Sequence, residues 1–315
     1  MAVLFERGTH KEPRSFTFRQ EIDTVPRVIA PAKVNLFLGI GSLRPDGYHG
    51  LVSVFHALAL ADEVAIEPSD RLTLECDAEL DVPPEQNLAY RAAVAFGAQV
   101  GLEPAFTIRL TKRIPHGAGL GGGSSDAAAV IAGLAHLWGI DRQDARCELV
   151  AASLGADVPF FLTGGAALMS GRGDELSREL PAISGGSAVL VRPPTPVPTA
   201  EAYRAFDAAP LAPGEPSAVV MALEAGDVRL LAAALQNNME RASSAVVPEV
   251  AEALRWVRDE AGVLGAIVAG SGSAVFALCE DSVGAQATVR RAQERGWWSV
   301  ATHLVAHGAT VISEG

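Results

Sequence analysis

Between Pro115 and Ala129 the chain reads Pro-His-Gly-Ala-Gly-Leu-Gly-Gly-Gly-Ser-Ser-Asp-Ala-Ala-Ala, with five glycines in seven residues. Glycine lets a backbone approach a ligand closely and adopt φ above zero. Residues 106–111, Phe-Thr-Ile-Arg-Leu-Thr, alternate as a strand does. Residues 127–138 are nearly all apolar, as in a buried helix. The order is therefore strand, glycine loop, helix N-terminus. Free N–H groups and the helix dipole at such a junction attract an anion, typically phosphate. Ser124 or Ser125 suits the helix cap, and Asp126 suits its positive first turn. Three readings compete here. One is a glycine-rich turn with a serine cap. A P-loop requires G-x-x-x-x-G-K-[ST] and is excluded, because no lysine follows these glycines. Gly117, Gly119 and Gly122 match the dinucleotide fingerprint, but the second strand and ribose-binding acid it requires are missing. Gly139-Ile-Asp-Arg and a further helical stretch from residue 143 follow instead.

Five other places carry groups able to do chemistry. On the strand at 28–41, Lys33 and Asn35 share a face opposite Val34, Leu36, Leu38 and Ile40. They read either as the decoration of an exposed edge or as a pair turned toward a ligand. Pro45-Asp46-Gly47 is a turn signal, and Tyr48 and His49 follow it directly. From the pattern alone they read as a surface aromatic and a solvated histidine. Asp157, in Gly-Ala-Asp-Val-Pro-Phe, fits a short helix cap with Pro159 in the first turn. Lys112 and Arg113 end the strand before the glycine loop, and Asn87 caps a helix running to about residue 99.

Taken together these segments resemble one family. Pro115-x-x-x-Gly119-Leu-Gly-Gly-Gly-Ser-Ser-Asp is similar to the phosphate loop of the GHMP kinases (galactokinase, homoserine, mevalonate and phosphomevalonate kinases). Pro31-Ala-Lys-Val-Asn-Leu-Phe-Leu resembles the family's first motif, and Ala269-Gly-Ser-Gly-Ser273 its third, which closes over the phosphate side. Arg44-Pro-Asp-Gly-Tyr-His49 resembles the branch whose acceptor is a cytidyl diphosphate sugar alcohol of non-mevalonate isoprenoid synthesis. The resemblance runs from about Val28 to the C-terminus.

The resemblance implies an ATP-dependent kinase acting on the 2-hydroxyl of that acceptor, with Mg2+ accompanying ATP. It implies that Asp157 is the catalytic base and Lys33 its catalytic partner. Pro115, Gly117, Gly119, Leu120, Gly121, Gly122, Gly123, Ser124 and Ser125 would hold the nucleotide phosphates. Lys112 would stand beside the phosphates or base, and Asn87 near the adenine. Asn35, Tyr48, His49 and Tyr203 would bind the acceptor, with the tyrosines on the two faces of the cytosine and His49 on its polar edge. Ser124 or Ser125 is a candidate metal ligand, and the metal residues are otherwise unassigned. The implied fold is α/β (α+β), a two-domain GHMP kinase fold. Its N-terminal part is a left-handed βαβ domain of ribosomal-protein type, an exception to the usual right hand, and its C-terminal part is ferredoxin-like. A homoserine- or mevalonate-type kinase would share the glycine loop without needing Tyr48 and His49. A non-catalytic sensor on the same fold could lose Lys33 or Asp157.

The elements that must hold these groups follow from periodicity. Strands are expected at 28–41, 51–60, 62–67, 72–76, 188–191, 265–268, 274–278 and 298–305. Helices are expected at 143–154, 218–242, 248–261 and 283–295, the second including Gln236-Asn-Asn-Met-Glu240. A loose extension at 1–26 precedes an N-terminal domain at 27–183 and a C-terminal domain at 184–315, divided where Ser184-Gly-Gly-Ser187 loosens the composition. Apolar residues make up 49% and charged ones 20%, and the formal charge is -12. That balance argues against a broad nucleic-acid or acidic-membrane surface, so an anion must be held by local N–H groups and a few cations. The three cysteines lack metal or redox spacing and fit a reducing cytoplasm. No apolar run approaches the roughly 18 residues of a membrane span, and no signal peptide is evident.

Overall fold

The computed structural model of the protein describes residues 25–45, 47–79 and 82–312. Most of the expected N-terminal extension, residues 1–24, lies outside the described residues, as does Asp46. The first half holds β1 (Arg27–Leu43), β2 (His49–Pro68), β3 (Thr73–Cys76), α1 (Leu88–Val100) and β4 (Phe106–Thr111). It continues with α2 (Gly122–Leu137), α3 (Ala145–Leu154), α4 (Val158–Thr163), β5 (Ala166–Ser170) and β6 (Glu175–Leu180). The second half holds β7 (Gly185–Arg192), α5 (Thr199–Ala208), α6 (Ser217–Ala225), α7 (Val228–Ala234), β8 (Gln236–Asn237) and α8 (Glu240–Val246). It ends with α9 (Pro248–Arg258), β9 (Val263–Val268), β10 (Val275–Cys279), α10 (Ser282–Glu294), β11 (Trp298–Val305) and β12 (Thr310–Ile312). No helix among the described residues is long and apolar enough to cross a membrane.

All of these strands join one mixed sheet, along the path β12-β1-β2-β11-β7-β10-β9. The two halves meet where β11 pairs with β2, Leu304 opposite Leu58 and Val305 opposite Ala57. They meet again where β8 runs parallel to β1. The segments expected at 51–60 and 62–67 form a single strand, β2, paired along β1.

β1 is buried on both faces from Ala30 to Ile40, so Lys33 and Asn35 are not edge residues. The expected common face of Val34, Leu36, Leu38 and Ile40 does not persist. A bulge between Asn35 and Phe37 interrupts the alternation. Val34, Leu36 and Phe37 therefore pack in one core, and Leu38 and Ile40 in another.

The expected helix at 218–242 is broken into α6, α7, β8 and α8. Gly226 at φ 64 ends α6, and the Asp227 carboxylate accepts from the N–H groups of Arg229 and Leu230 to start α7. Asn237 and Asn238 then bond backbone groups elsewhere, which competes with helix. Asn238 accepts from Ile40 N–H and donates to Ile40 C=O, which pins the end of β1.

One buried titratable group ties the middle of the sheet to the segment before β7. His56 is fully buried, its Nδ1 is 2.9 Å from Ala57 O, and its Nε2 accepts from Ile183 N–H at 3.2 Å. Burial lowers its pKa from 6.5 to about 4, against a smaller opposing pull from the Ala57 carbonyl. The unfolded chain accepts a proton that the folded protein resists, so this contribution to stability is complete above pH 6.5 and is lost as pH falls through 4. It is on the order of 3 kcal/mol. Denaturant titrations between pH 7 and 4 should show a steeper fall in wild type than in His56→Gln, and equal slopes would remove His56 as the cause.

Candidate active site

β4 delivers the chain to the glycine loop, and α2 carries it away. Between them and α1 lies a cleft of about 420 Å³. Its lining includes Asn87, Lys112, Pro115, Gly117, Gly119, Leu120, Gly121, Gly122, Gly123, Ser124 and Asp126. Every residue expected to hold the nucleotide is there except Ser125. Ser125 is fully buried, and its hydroxyl donates to Pro31 O at 2.6 Å. Neither serine caps the helix, because α2 starts earlier than expected. Its cap is Gly121 at φ 74, and the serines lie inside the first turn. Asn87 does cap α1, its side chain accepting from Ala89 N–H.

The loop's glycines are required by protein packing as well as by any ligand. A Cβ on Gly119, at φ 81, would fall 2.0 Å from Ala269 O of the turn between β9 and β10. That turn is held against the loop by Ala274 N–H donating to Ala118 O. A Cβ on Gly121 would meet the Phe161 ring at 2.7 Å and the Lys33 stem at 3.1 Å.

Behind the loop sits a buried charged trio. Lys112 Nζ donates to Asp62 and to Asp126. The other oxygen of Asp62 accepts the N–H groups of Arg113 at 2.5 Å and Ile114 at 2.8 Å. Burial pushes the Asp126 carboxyl up, to about 7, against the pull of Lys112, and Asp62 adds to the rise. For Lys112, burial opposes the charge, but Asp126 and Asp62 outweigh it and hold the pKa above its usual value. Oδ1 of Asp126 has no hydrogen-bond partner among the described residues.

At the end of the cleft, the groups from β1, β2 and α4 converge. Lys33 is 6% exposed. Its ammonium donates to Asn35 Oδ1 at 2.8 Å, lies 3.6 Å from Asp157 Oδ2 and stands 4.6 Å from the Phe55 ring centroid. Asn35 donates to Ser53, which donates to Phe37 O. Asp157 precedes α4 but makes no side-chain cap, contrary to the capping reading. Its carboxylate is about one-third exposed and turned toward Lys33.

The aromatic groups form the next layer. Burial pushes the Tyr203 hydroxyl up, and the Asp157 charge adds to the effect. The Tyr203 ring centroid is 5.4 Å from that of His49. Nδ1 of His49 is 2.9 Å from Gly41 O and Nε2 is 3.0 Å from Asp207 Oδ1. Both ring nitrogens thus face protein oxygens rather than an open edge, and His49 holds β1 and α5 together. Tyr48 stands apart at the rim, 55% exposed, with Arg172 5.0 Å from its ring.

Sequence reasoning gave no role to Asp62 or Arg172, read Asp126 only as suiting the start of the helix, and read Asn237 as helical. For Asp62 the available signal was an acid inside an apolar strand facing Lys112-Arg113. The others carry no local signal, since their roles depend on partners far along the chain.

The model of the GHMP kinases N terminal domain matches residues 87–165, and that of the GHMP kinases C terminal domain matches 219–296. The 4-diphosphocytidyl-2-C-methyl-D-erythritol kinase of Pelotomaculum thermopropionicum is 42% identical over 271 residues, covering 84% of this chain and 92% of the relative. A crystal structure of 4-(cytidine 5'-diphospho)-2C-methyl-D-erythritol kinase superposes with a TM-score of 0.75 at 36% identity, covering 88% of this chain and 98% of that one. A homoserine kinase from Cytophaga hutchinsonii shares the fold, with a TM-score of 0.71 at 23% identity, covering 93% and 99%. The fold is the mixed α/β two-domain architecture of that family.

Gly121→Val should displace the Phe161 ring and the Lys33 stem and strain a left-handed residue. Calorimetry with a non-hydrolysable ATP analogue should find no binding. Wild-type affinity in a folded variant would take this loop out of the nucleotide site.

Proposed function

The chain belongs to the GHMP kinases, and within them to the 4-diphosphocytidyl-2-C-methyl-D-erythritol kinases; from this premise we propose that it transfers the γ-phosphoryl group of ATP to the 2-hydroxyl of 4-diphosphocytidyl-2-C-methyl-D-erythritol. The observation that carries the reading is the Lys33–Asp157 pair beside Gly121, at the junction of the glycine-lined cleft and the aromatic layer. Phosphoryl transfer needs alignment and charge stabilisation more than covalent help. The Asp157 carboxylate takes the proton of the acceptor hydroxyl as that oxygen attacks. The Lys33 ammonium, fixed by Asn35 and Phe55, orients the hydroxyl and offsets charge developing on the transferred group. The loop N–H groups and the first turn of α2 cradle the triphosphate.

Among the described residues, no group of three or more His, Cys, Asp or Glu could hold a metal ion by itself. The residues present fit Mg2+ carried by the nucleotide, with the Ser124 hydroxyl, which lines the cleft, as its protein ligand. When bound, such an ion would supply charge neutralisation at the phosphates. Tyr48 and Tyr203 supply the flat partners for the cytosine, which a homoserine- or mevalonate-type acceptor would not need.

Asp157→Asn should leave folding and ATP binding nearly intact and cut turnover about 100-fold or more. Turnover near wild type would leave Asp157 as a packing residue only. Tyr48→Ala should raise the acceptor KM about 5- to 150-fold through lost stacking, with little change in the KM for ATP. Weakened ATP with a spared acceptor would reverse the two pockets, and a panel of alcohol acceptors would then identify the substrate.

A further inference from the structure

The turn between β5 and β6 reaches over the start of β2. Leu51 N–H donates to Gly171 O at 3.0 Å, and the Leu51 side chain lies against Gly173. Gly171 and Gly173 both sit at positive φ, 70 and 91 degrees, and Gly173 N–H closes the turn onto Ser170 O. Arg172, between them, is held by Asp174 in three ways. Its backbone N–H donates to Oδ1 at 2.9 Å, while Nε and Nη2 donate to Oδ2 at 3.2 and 2.9 Å. This fork fixes the plane of the guanidinium, which then lies 5.0 Å from the centroid of the Tyr48 ring. Burial opposes ionisation of Asp174, but the bonds from Arg172 prevail and hold its carboxyl below the usual range.

Tyr48 sits at the base of an exposed turn, Arg44 N–H donating to its carbonyl. A ring in such a place has rotamer freedom to lose when a ligand stacks on it. A planar cation on one face removes part of that freedom in advance and leaves the ring more than half exposed. Arginine stacks on aromatic faces in this way, and lysine does not reproduce a forked and stacked contact.

We propose that Arg172, locked by Asp174, is the positioning residue for the Tyr48 ring and so sets the affinity for the nucleoside end of the acceptor. The proposal rests on the reading that Tyr48 stacks the cytosine. It assigns Arg172 no contact with the reacting atoms.

Steady-state kinetics on the full-length enzyme test it, with the cytidyl acceptor and ATP varied separately. Arg172→Ala should raise the acceptor KM about two- to fivefold, with kcat, ATP KM and melting temperature nearly unchanged. Asp174→Ala should raise it similarly, and Arg172→Lys should recover little of the loss. Tyr48→Ala combined with Arg172→Ala should be no worse than Tyr48→Ala alone, because the two residues act as one unit. Additive effects would overturn the proposal by showing that Arg172 meets the acceptor on its own. An unchanged acceptor KM in Arg172→Ala, with Tyr48→Ala impaired, would overturn it while leaving the cytosine site intact. A lowered melting temperature with both KM values shifted would reduce Arg172 to a structural role. An unimpaired Tyr48→Ala would instead overturn the cytosine site itself, and this proposal with it.

Discussion

A buried ammonium ion has to be met by protein groups, and Lys33 imposes that requirement on three elements at once. β1 presents it, and the Lys33 backbone N–H donates to Leu120 O, so the strand and the glycine loop are fixed to each other at the same residue. β2 supplies Phe55 under the charge and Ser53 behind Asn35. α4 supplies Asp157, and α4 is located by its own aromatic pair. Phe160 meets Phe55 edge to face at 5.4 Å, while Phe161 lies where a side chain on Gly121 would stand. The Asp157 carboxylate, the cation and the loop are therefore not independent. Moving any one of them disturbs the packing that holds the other two.

The same economy of contacts joins the two halves of the chain. The turn between β9 and β10 approaches Gly119 so closely that no side chain fits between them. Asn237 steadies that turn, donating to both Val268 O and Gly270 O. The following residue, Asn238, grips the end of β1. A two-residue strand thus links the first and third motifs, and a continuous helix through the same residues could not do so.

The parts of this site that were legible in the sequence are those whose chemistry is local. Glycines at loop spacing announce themselves within a few residues, whereas the Asp-Val-Pro segment and the Lys-x-Asn strand took their meaning from the family resemblance. What stayed hidden depends on partners distant in the chain. Lys33 and Asn35 read equally well as an edge, because alternation cannot tell which faces of a strand are covered. The serines after the glycines read as caps, because the helix start at Gly121 is set by Phe161 and Lys33, both far away in sequence. Asn237 read as helical, because periodicity does not register a side chain bonded to carbonyls some thirty residues on. The contact of Arg172 with the Tyr48 ring carried no local signal, since the two residues lie far apart in the chain.

The charged trio behind the loop completes the electrostatic argument. An acidic chain that binds a polyanion cannot depend on its average field. The local cations are also shared, Lys33 with Asp157 and Lys112 with two carboxylates. Favourable potential at the cleft must then come chiefly from oriented N–H groups and the first turn of α2. With Asp126 protonated, the trio of Lys112, Asp62 and Asp126 carries no net charge and leaves that potential undiminished. With Asp126 ionised, one negative charge stands in the first turns of the same helix. Burial, with Asp62 adding to it, raises the Asp126 carboxyl above the ordinary carboxylate range against the pull of Lys112. Asp62 joins the trio to the strand end from which the loop departs, its other oxygen accepting the N–H groups of Arg113 and Ile114.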